Sequence, residues 1–202
     1  MNRPELPVLV TTQRLYGPRL DVVYPVVWGL ADYRVQEKIN YDILQTVYYL
    51  LRKQGYYENP QTTVTGTYEL KNNQRGIFFL SIINYAFSGG AHGMTYIKSL
   101  TFNVRTGRVY KLADLFIRGS DYVERLSEIV KRQIEERDIP VINEFESIDP
   151  KQDFYISDKA LVLYFQLYEL TPYAYGFPYF PISVYEIQDI IDENGPLGKM
   201  LS

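Results

Sequence analysis

Pairs of β-rich segments joined by short turns are the feature that most constrains how this chain folds. One pair covers residues 62–71 and 76–87, and a second pair covers residues 154–156 and 161–166. Segments separated by so short a turn pair antiparallel with each other, because a parallel arrangement needs a long crossover connection. An opening strand pair is predicted in the same way around the Gly-Pro turn at residues 17–18. The sequence therefore predicts a sheet built largely from hairpins.

Two amphipathic helices accompany the predicted strands. The first begins after Asp32 and carries an apolar stripe of residues four apart: Val35, Ile39, Ile43, Val47 and Leu51. The second begins near Ser120 and Asp121, and its stripe consists of Val123, Leu126, Val130 and Ile134. Too few helices alternate with strands for a doubly wound parallel fold. We predict the α+β class, with an antiparallel sheet built from hairpins and two long helices packed on one face.

The C-terminal part of the chain is less regular. Residues 168–181 are predicted to form a loop rich in proline and aromatic residues, followed by a short strand at residues 182–184. Residues 185–191 place several isoleucines on one face, which predicts a terminal helix. The residues from Gly195 onward are predicted to be a frayed tail.

Charge and cysteine content exclude several classes of protein. The chain has 202 residues, with 21 Lys and Arg against 24 Asp and Glu, and a net charge of −3. A nucleic-acid-binding protein usually concentrates basic charge on one face, so nucleic acid is not an expected partner. Because the chain has no cysteine, it can form neither disulfides, nor a thiolate nucleophile, nor a cysteine-ligated zinc site.

The single histidine of the chain, His92, lies in a glycine-rich segment at residues 88–93. One histidine cannot form a zinc site of several imidazoles, and a serine relay would need His92 as its base with Ser88 or Ser99 as nucleophile. The sequence has no Gly-x-Ser-x-Gly nucleophile elbow. We favour a structural role in which the imidazole holds the loop, with ligand contact and catalysis as the alternatives.

Paired carboxylates are a second possible source of chemistry. Glu144 lies near Glu146 in the sequence, and Asp189 lies near Asp192. Glycosidases use two carboxylates, but neighbouring acids in an acidic protein are usually solvated surface residues, and we favour that interpretation. No EF-hand calcium loop is present, and no cofactor or metal is expected.

Aromatic residues give the clearest indication of binding. The chain has 20 Tyr, 10 Phe and 1 Trp, and many of them fall between residues 164 and 180, interleaved with proline and glycine. If these rings point outward, they could stack on sugars or fill pockets of a protein partner; if they point inward, they cover the sheet. Both alternatives are open from the sequence.

Several segments together resemble a known family. Residues 88–93, 101–108 and 112–116 are similar to the uncharacterised domain in the extracellular part of RsiV-like anti-sigma factors, which is also found in some peptidoglycan deacetylases. Further similarity covers residues 172–176 and 181–187. The segments 24–30 and 39–40 resemble the usual N-terminal companion of that domain.

The resemblance implies two modules, at residues 1–88 and 89–202, packed together as one compact unit. It implies a non-enzymatic sensing or binding module of the Gram-positive cell envelope, which recognises a lysozyme-like muramidase or a peptidoglycan fragment. The alternatives are an enzyme or enzyme accessory domain acting on cell-wall polysaccharide, and a purely structural envelope domain. The predicted ligand-binding residues are Gly90, His92, Gly93, Tyr173, Tyr175, Phe177 and Tyr179.

The expected location is extracytoplasmic, either secreted or at the cell surface. The residues from Met1 to Pro7 contain no apolar run of signal-peptide length. We therefore expect any leader or anchor to be absent from this chain, and contact with a membrane to depend on such an anchor.

Overall fold

Residues 7–201 are described by a computed structural model, and they separate into two units between Val109 and Tyr110. Residues 1–6, which begin the predicted N-terminal module and the segment considered for a leader, lie outside the described residues, as does Ser202. Each unit contains one sheet and one long helix. The protein is therefore a mixed α and β structure in which β structure predominates.

The first unit contains a five-stranded sheet in which the strands follow chain order. Its strands are β1 (Leu9–Gly17), β2 (Leu20–Trp28), β3 (Thr63–Gln74), β4 (Ile77–Phe87) and β5 (Met94–Asn103). The neighbours β1 and β2, β3 and β4, and β4 and β5 pair antiparallel, as the hairpin pattern predicts. The neighbours β2 and β3 instead pair parallel over three residues, because helix α1 (Tyr33–Lys53) connects them.

Helix α1 forms for the reasons that its sequence predicts. The Asp32 side chain accepts hydrogen bonds from the main-chain N–H groups of Arg34 (2.9 Å) and Val35 (3.4 Å), which caps the N-terminus. The buried face of the helix is formed by Ile39, Ile43, Val47, Leu50 and Leu51. This face packs on the sheet in a core that includes Val22, Val27, Phe78, Leu80, Ile82 and Phe102.

Asn40 fixes α1 to β2 through two hydrogen bonds. Its Oδ1 accepts from the Val27 main-chain N–H at 2.8 Å, and its Nδ2 donates to the Val27 carbonyl oxygen at 2.9 Å. The Asn40 amide thus bonds to the main chain of Val27 as a neighbouring strand would. Because Val27 is fully buried, leaving its N–H and carbonyl without partners would lower the stability of the fold.

The second unit contains a three-stranded antiparallel sheet of β6 (Phe154–Ser157), β7 (Ala160–Tyr164) and β8 (Tyr179–Ser183). The predicted hairpin of β6 and β7 is present, and part of the predicted aromatic loop is strand β8. Helix α2 (Tyr122–Glu136) lies beside β8, where Gln133 Nε2 donates to the Pro181 carbonyl at 2.8 Å. Arg137 Nη1 donates to the Tyr179 carbonyl, also at 2.8 Å.

Three features of the fold differ from the sequence-based expectation. The two long helices do not share a face of one sheet, because α1 lies in the first unit and α2 in the second. The predicted helix at residues 185–191 is a turn and a short 3-10 helix, since the Ile190 carbonyl accepts from the Ile117 N–H at 2.9 Å. The predicted frayed tail contains the short helix α3 (Gly198–Leu201) and the buried residues Leu197 and Met200.

The expected module boundary after residue 88 falls in the connection between β4 and β5. These two strands pair along ten residues, from Ala86 with Met94 to Ile77 with Asn103. Both strands accordingly belong to the first unit, which continues to Val109.

Candidate functional site

The predicted binding loop around His92 connects β4 to β5 in the first unit. The Nδ1 atom of the exposed His92 ring lies 3.0 Å from the Gly93 carbonyl oxygen. Gly93 is buried, and a Cβ atom there would lie 2.4 Å from the Ala86 carbonyl oxygen, so only glycine fits. Gly90 is exposed and has φ +99°, a conformation that glycine adopts without strain. Gly90 and Gly93 therefore allow the main chain to follow the path of this loop.

The serines considered as nucleophiles are bonded to other hydroxyl groups. The Ser88 hydroxyl lies 2.8 Å from the hydroxyl of the buried Thr62, and the Ser99 hydroxyl lies 2.8 Å from that of Ser81. In the Ser-His-Asp relay, the serine hydroxyl is instead bonded to the imidazole. The hydroxyl contact of Ser88 thus serves the loop rather than a relay.

The carboxylates considered for glycoside hydrolysis lie on the surface. Glu144 and Glu146 are exposed, and Asp189 is exposed and pairs with Arg125 at 3.4 Å. No Asp or Glu side chain is buried between residues 7 and 201. Within the same range, no group of three or more His, Cys, Asp or Glu side chains is placed to hold a metal ion.

The aromatic segment of the second unit divides into a buried part and an exposed part. Tyr164, Phe165 and Phe180 are buried, and the rings of Phe165 and Phe180 meet edge to face at 5.6 Å. Tyr179 is half-buried, and its ring centroid lies 5.9 Å from that of Tyr164. Phe177 is also half-buried. The rings of Tyr164, Phe165 and Phe180 therefore belong to the core of this unit, which is the inward arrangement that one of the two sequence-based alternatives described.

The exposed part consists of Tyr168 and Tyr175, and together with the half-buried Tyr173 we call these residues the tyrosine cluster. Tyr168 is 49% exposed and Tyr175 is 41% exposed, while Tyr173 is half-buried. The rings of Tyr168 and Tyr173 lie beside each other, with centroids 5.5 Å apart and planes inclined by 33°. Tyrosine presents a large, stiff contact area with a polar tip, which suits recognition. The cluster can therefore serve as a binding surface without any catalytic group.

Tyr168 has an unusual main-chain conformation for so bulky a residue. Its φ angle is +66°, in the left-handed region that favours glycine and asparagine. Neighbouring hydrogen bonds hold this turn: Glu169 Oε2 accepts from the Gln166 N–H at 2.6 Å, and Gln152 Nε2 donates to the Tyr164 carbonyl at 2.8 Å. Strained conformations held by their surroundings concentrate at functional sites. This conformation could not be predicted from the sequence, because tyrosine seldom adopts the left-handed region.

Charge is distributed very unevenly between the two units. Residues 1–109 contain 12 Lys and Arg and 7 Asp and Glu, a net charge of +5, whereas residues 110–202 contain 9 and 17, a net charge of −8. The whole-chain value of −3 conceals this difference. The tyrosine cluster thus lies in a strongly anionic unit, while the His92 loop lies in a cationic one.

The fold of this chain is similar to the folds of two solved structures. The chain is similar to a crystal structure of a DUF3298 family member from Bacteroides fragilis, with a TM-score of 0.69, 16% identity, and coverage of 96% of this chain and 94% of that one. It is also similar to a DUF3298 family protein from Pseudomonas aeruginosa, with a TM-score of 0.68, 13% identity, and 96% coverage of both chains. The α+β fold is therefore shared with these proteins.

Family models match the two units separately. Residues 113–185 match a family described as protein of unknown function, DUF3298, and residues 17–95 match a family described as Deacetylase PdaC. Each match lies within one unit. Together with the similar structures, these matches support an uncharacterised family of the DUF3298 type. The resemblance to anti-sigma factors stays a prediction.

One curated protein extends the comparison to an enzyme by name. The chain is 30% identical to Esterase Rv3036c from Mycobacterium tuberculosis over 92 residues, and this matched segment covers 44% of the chain. The chain spans only 40% of the length of that relative.

Among the described residues, no helix is long and apolar enough to cross a membrane.

Proposed function

We propose that this protein is a non-enzymatic binding module of the cell envelope, and that its tyrosine cluster recognises a basic protein of the lysozyme-like muramidase class. The observation that carries the proposal is the exposed ring of Tyr168, held beside Tyr173 by a left-handed main chain. This arrangement presents preorganised aromatic contact area, which lowers the entropic cost of binding. The resemblance of the chain to the extracellular part of envelope sensors supports the same class of function.

The charge of the second unit favours a protein ligand that is basic. With a net charge of −8, this unit attracts cationic proteins and repels the carboxylates of a peptidoglycan fragment. Muramidases of the lysozyme type are strongly basic. A peptidoglycan fragment is the alternative ligand, since sugar rings also stack on tyrosine. The negative charge of the second unit does not raise the affinity for such a fragment.

The place of such a module is outside the cytoplasmic membrane, where a muramidase or its substrate is found. The resemblance of the chain to a domain of peptidoglycan deacetylases supports this location, and the first unit matches a family described as Deacetylase PdaC. By resemblance, we propose that the module belongs with the sensing regions of anti-sigma factors. Contact with the membrane would then require an anchor outside this chain.

An enzyme acting on the cell wall is the second candidate function. The names Deacetylase PdaC and Esterase Rv3036c favour it, since both describe hydrolases. The described side chains do not assemble in a way that matches such chemistry, because the Ser88 hydroxyl is bonded to that of Thr62 and three of the four paired carboxylates, Glu144, Glu146 and Asp189, are exposed. Loss of hydrolysis on His92→Ala, with the fold intact, would establish this candidate over the binding module.

A calorimetric titration of the whole chain tests the proposed function. Hen lysozyme is added in one arm and a soluble peptidoglycan digest in the other, and the lysozyme arm is repeated at high salt to screen nonspecific attraction. We expect saturable lysozyme binding that weakens with salt but persists. Heat only with the digest would replace the protein ligand by a glycan, and slow continuing heat with the digest would indicate an enzyme.

A further inference from the structure

The face of the first sheet that turns away from α1 carries a row of side chains across all five strands. Val22 of β2 lies in the core that α1 covers, so the adjacent Asp21 points to the opposite face. Direct pairing between neighbouring strands continues the row from Asp21 in both directions. We call this set the cross-strand row, and in strand order it consists of Tyr16, Asp21, Thr65, Tyr85 and Thr95.

Two exposed tyrosines stand at separate positions in this row. Tyr16 on β1 is 76% exposed, and Tyr85 on β4 is 43% exposed. Three interstrand spacings separate these strands, so the main chains at the two positions lie about 14 Å apart. Phe87 lies two residues after Tyr85 on the same face of β4 and is also exposed. The row therefore presents aromatic surface at two positions rather than in one cluster.

Both tyrosine rings are held by their surroundings. A Cβ atom at Gly93 would lie 2.4 Å from Cζ of Tyr85, so the Tyr85 ring lies directly against the main chain of this glycine. The Cζ atom of Arg14 lies 4.8 Å from the centroid of the Tyr16 ring, which is a cation–π contact. Because these contacts already restrict the rings, a ligand that stacks on them pays little further side-chain entropy.

The charged groups at this row neutralise each other. Arg14 Nε and Nη2 each donate a hydrogen bond of 2.7 Å to the Asp21 carboxylate. These hydrogen bonds lower the pKa of the Asp21 carboxyl, so the pair stays ionised at neutral pH. Between the two rings, the row therefore presents the hydroxyl of the exposed Thr65 and a carboxylate that is already paired.

We propose that the cross-strand row binds a linear, uncharged oligosaccharide. A pyranose has an apolar face of C–H groups that packs on an aromatic ring, and its hydroxyls bond to polar side chains beside that ring. Tyr16 and Tyr85 receive two sugars of one chain, while Thr65 and Asp21 bond to hydroxyls between them. This site lies in the first unit, so it is independent of the tyrosine cluster and of its ligand.

Other classes of ligand fit the row less well. A nucleic acid or an acidic polysaccharide needs cations that can contact its charged groups, whereas Arg14 is bound by Asp21. An anionic membrane surface favours a patch rich in Lys and Arg, which the row lacks. A protein partner favours anchors gathered at the centre of an interface, whereas polar groups separate these two rings.

The test follows the amide chemical shifts of the full chain, labelled with nitrogen-15, during titration with tetra-N-acetylchitotetraose. We expect saturable shifts at Thr65 and Tyr85, with a dissociation constant on the order of 1 mM, as suits a shallow surface site. Because the ligand is uncharged, raising the salt concentration should leave the affinity unchanged. An absence of saturable shifts would overturn the site, and tighter binding of tetragalacturonate, which is anionic, would overturn the choice of an uncharged ligand.

Variants of the two tyrosines test the row itself. Tyr16→Ala and Tyr85→Ala should each weaken binding about fivefold, since each removes one stacking contact. Tyr85→Phe, which keeps the ring, should retain most of the affinity. Circular dichroism checks that each variant is folded, and Tyr16→Ala is the decisive variant because its ring is the more exposed.

Tyr33→Ala is the matched control, because Tyr33 is 67% exposed and lies on α1, which covers the other face of the sheet. It should change the affinity for chitotetraose by less than about twofold. Equal losses in Tyr33→Ala and Tyr16→Ala would overturn the row as the site, as would a folded Tyr16→Ala protein with unchanged affinity.

Lysozyme binding, measured on the same Tyr16→Ala protein, separates this inference from the proposed function. We expect it to be unchanged, since Tyr16 lies in the first unit and the tyrosine cluster in the second. Weaker lysozyme binding by Tyr16→Ala would overturn the independence of the two sites.

Discussion

A single residue, Tyr168, connects local strain with the proposed binding surface. Its φ of +66° costs a non-glycine residue about 1–2 kcal/mol relative to ordinary backbone conformations. Glycine would avoid this cost but would lack the ring that lies 5.5 Å from Tyr173. The tyrosine at this position therefore favours the exposed aromatic surface over the stability of the turn.

This interpretation predicts the relative stability of two variants that both remove the Tyr168 ring. Tyr168→Gly should have a free energy of unfolding about 1 kcal/mol higher than Tyr168→Ala, because glycine adopts the left-handed conformation without steric cost. Urea denaturation of the two variants measures the difference. An alanine variant as stable as the glycine variant would show that the turn carries no strain.

Among the elements, β3 and β4 approach each other unusually closely at one pair of residues. Gly66 of β3 lies opposite Asn84 of β4, and a Cβ atom at Gly66 would lie 2.3 Å from Asn84 Oδ1 and 2.8 Å from Val22 Cγ1. The Asn84 side chain is fully buried, and neither its Oδ1 nor its Nδ2 is hydrogen-bonded to a residue in the range 7–201. The main-chain carbonyl of Asn84, by contrast, accepts from Gln54 Nε2 at 3.0 Å.

The pairing of Gly66 with Asn84 predicts non-additive effects on stability. Gly66→Ala should lower the free energy of unfolding by about 2–3 kcal/mol, because the added methyl overlaps both neighbours. Asn84→Ala should change it by less than about 1 kcal/mol, since it removes polar atoms that are buried without partners. In the double variant, the loss should be smaller than the sum by at least about 0.5 kcal/mol. Strictly additive losses in urea denaturation would contradict the close approach.

At the scale of the whole molecule, the chain consists of two units that carry opposite charge. The first has a net charge of +5 and the second −8. Charge of this size guides the encounter with partners rather than determining the fold. The two units therefore differ in the charge of the ligand that each would attract, and the basic protein proposed as a ligand matches the negative charge of the second unit.

The boundary between the units predicts which N-terminal fragment folds. A chain ending at Val109 keeps all five strands of the first sheet, whereas a chain ending at residue 88 lacks β5 and exposes the edge of β4. We expect cooperative unfolding of residues 1–109 in denaturant and circular dichroism experiments. The fragment 1–88 should aggregate or lack a cooperative transition. A cooperative 1–88 fragment would place the boundary where the resemblance implied.

Much of the fold could be predicted from the sequence because local patterns determine it. The apolar residues spaced along the sequence from Ile39 to Leu51 form the buried face of α1, and the β-rich segments joined by short turns form antiparallel pairs. The segment 185–191 could not be predicted, because its main chain bonds to a distant residue, with the Ile190 carbonyl accepting from the Ile117 N–H, where the pattern of isoleucines predicted a helix. The candidate site was located only in part, since neither the positive φ angle of Tyr168 nor the boundary at Val109 that divides the charge follows from a local sequence pattern.

Affinity for lysozyme, compared among three tyrosine variants, tests the central claim most directly. Tyr168→Ala and Tyr173→Ala should each weaken binding by about 2 kcal/mol or more, as expected for aromatic anchors of an interface. Tyr41→Ala is the control, because Tyr41 is 62% exposed on α1 in the other unit, and it should leave the affinity unchanged. Folded Tyr168→Ala and Tyr173→Ala proteins that bind lysozyme as tightly as the unmodified chain would contradict the account.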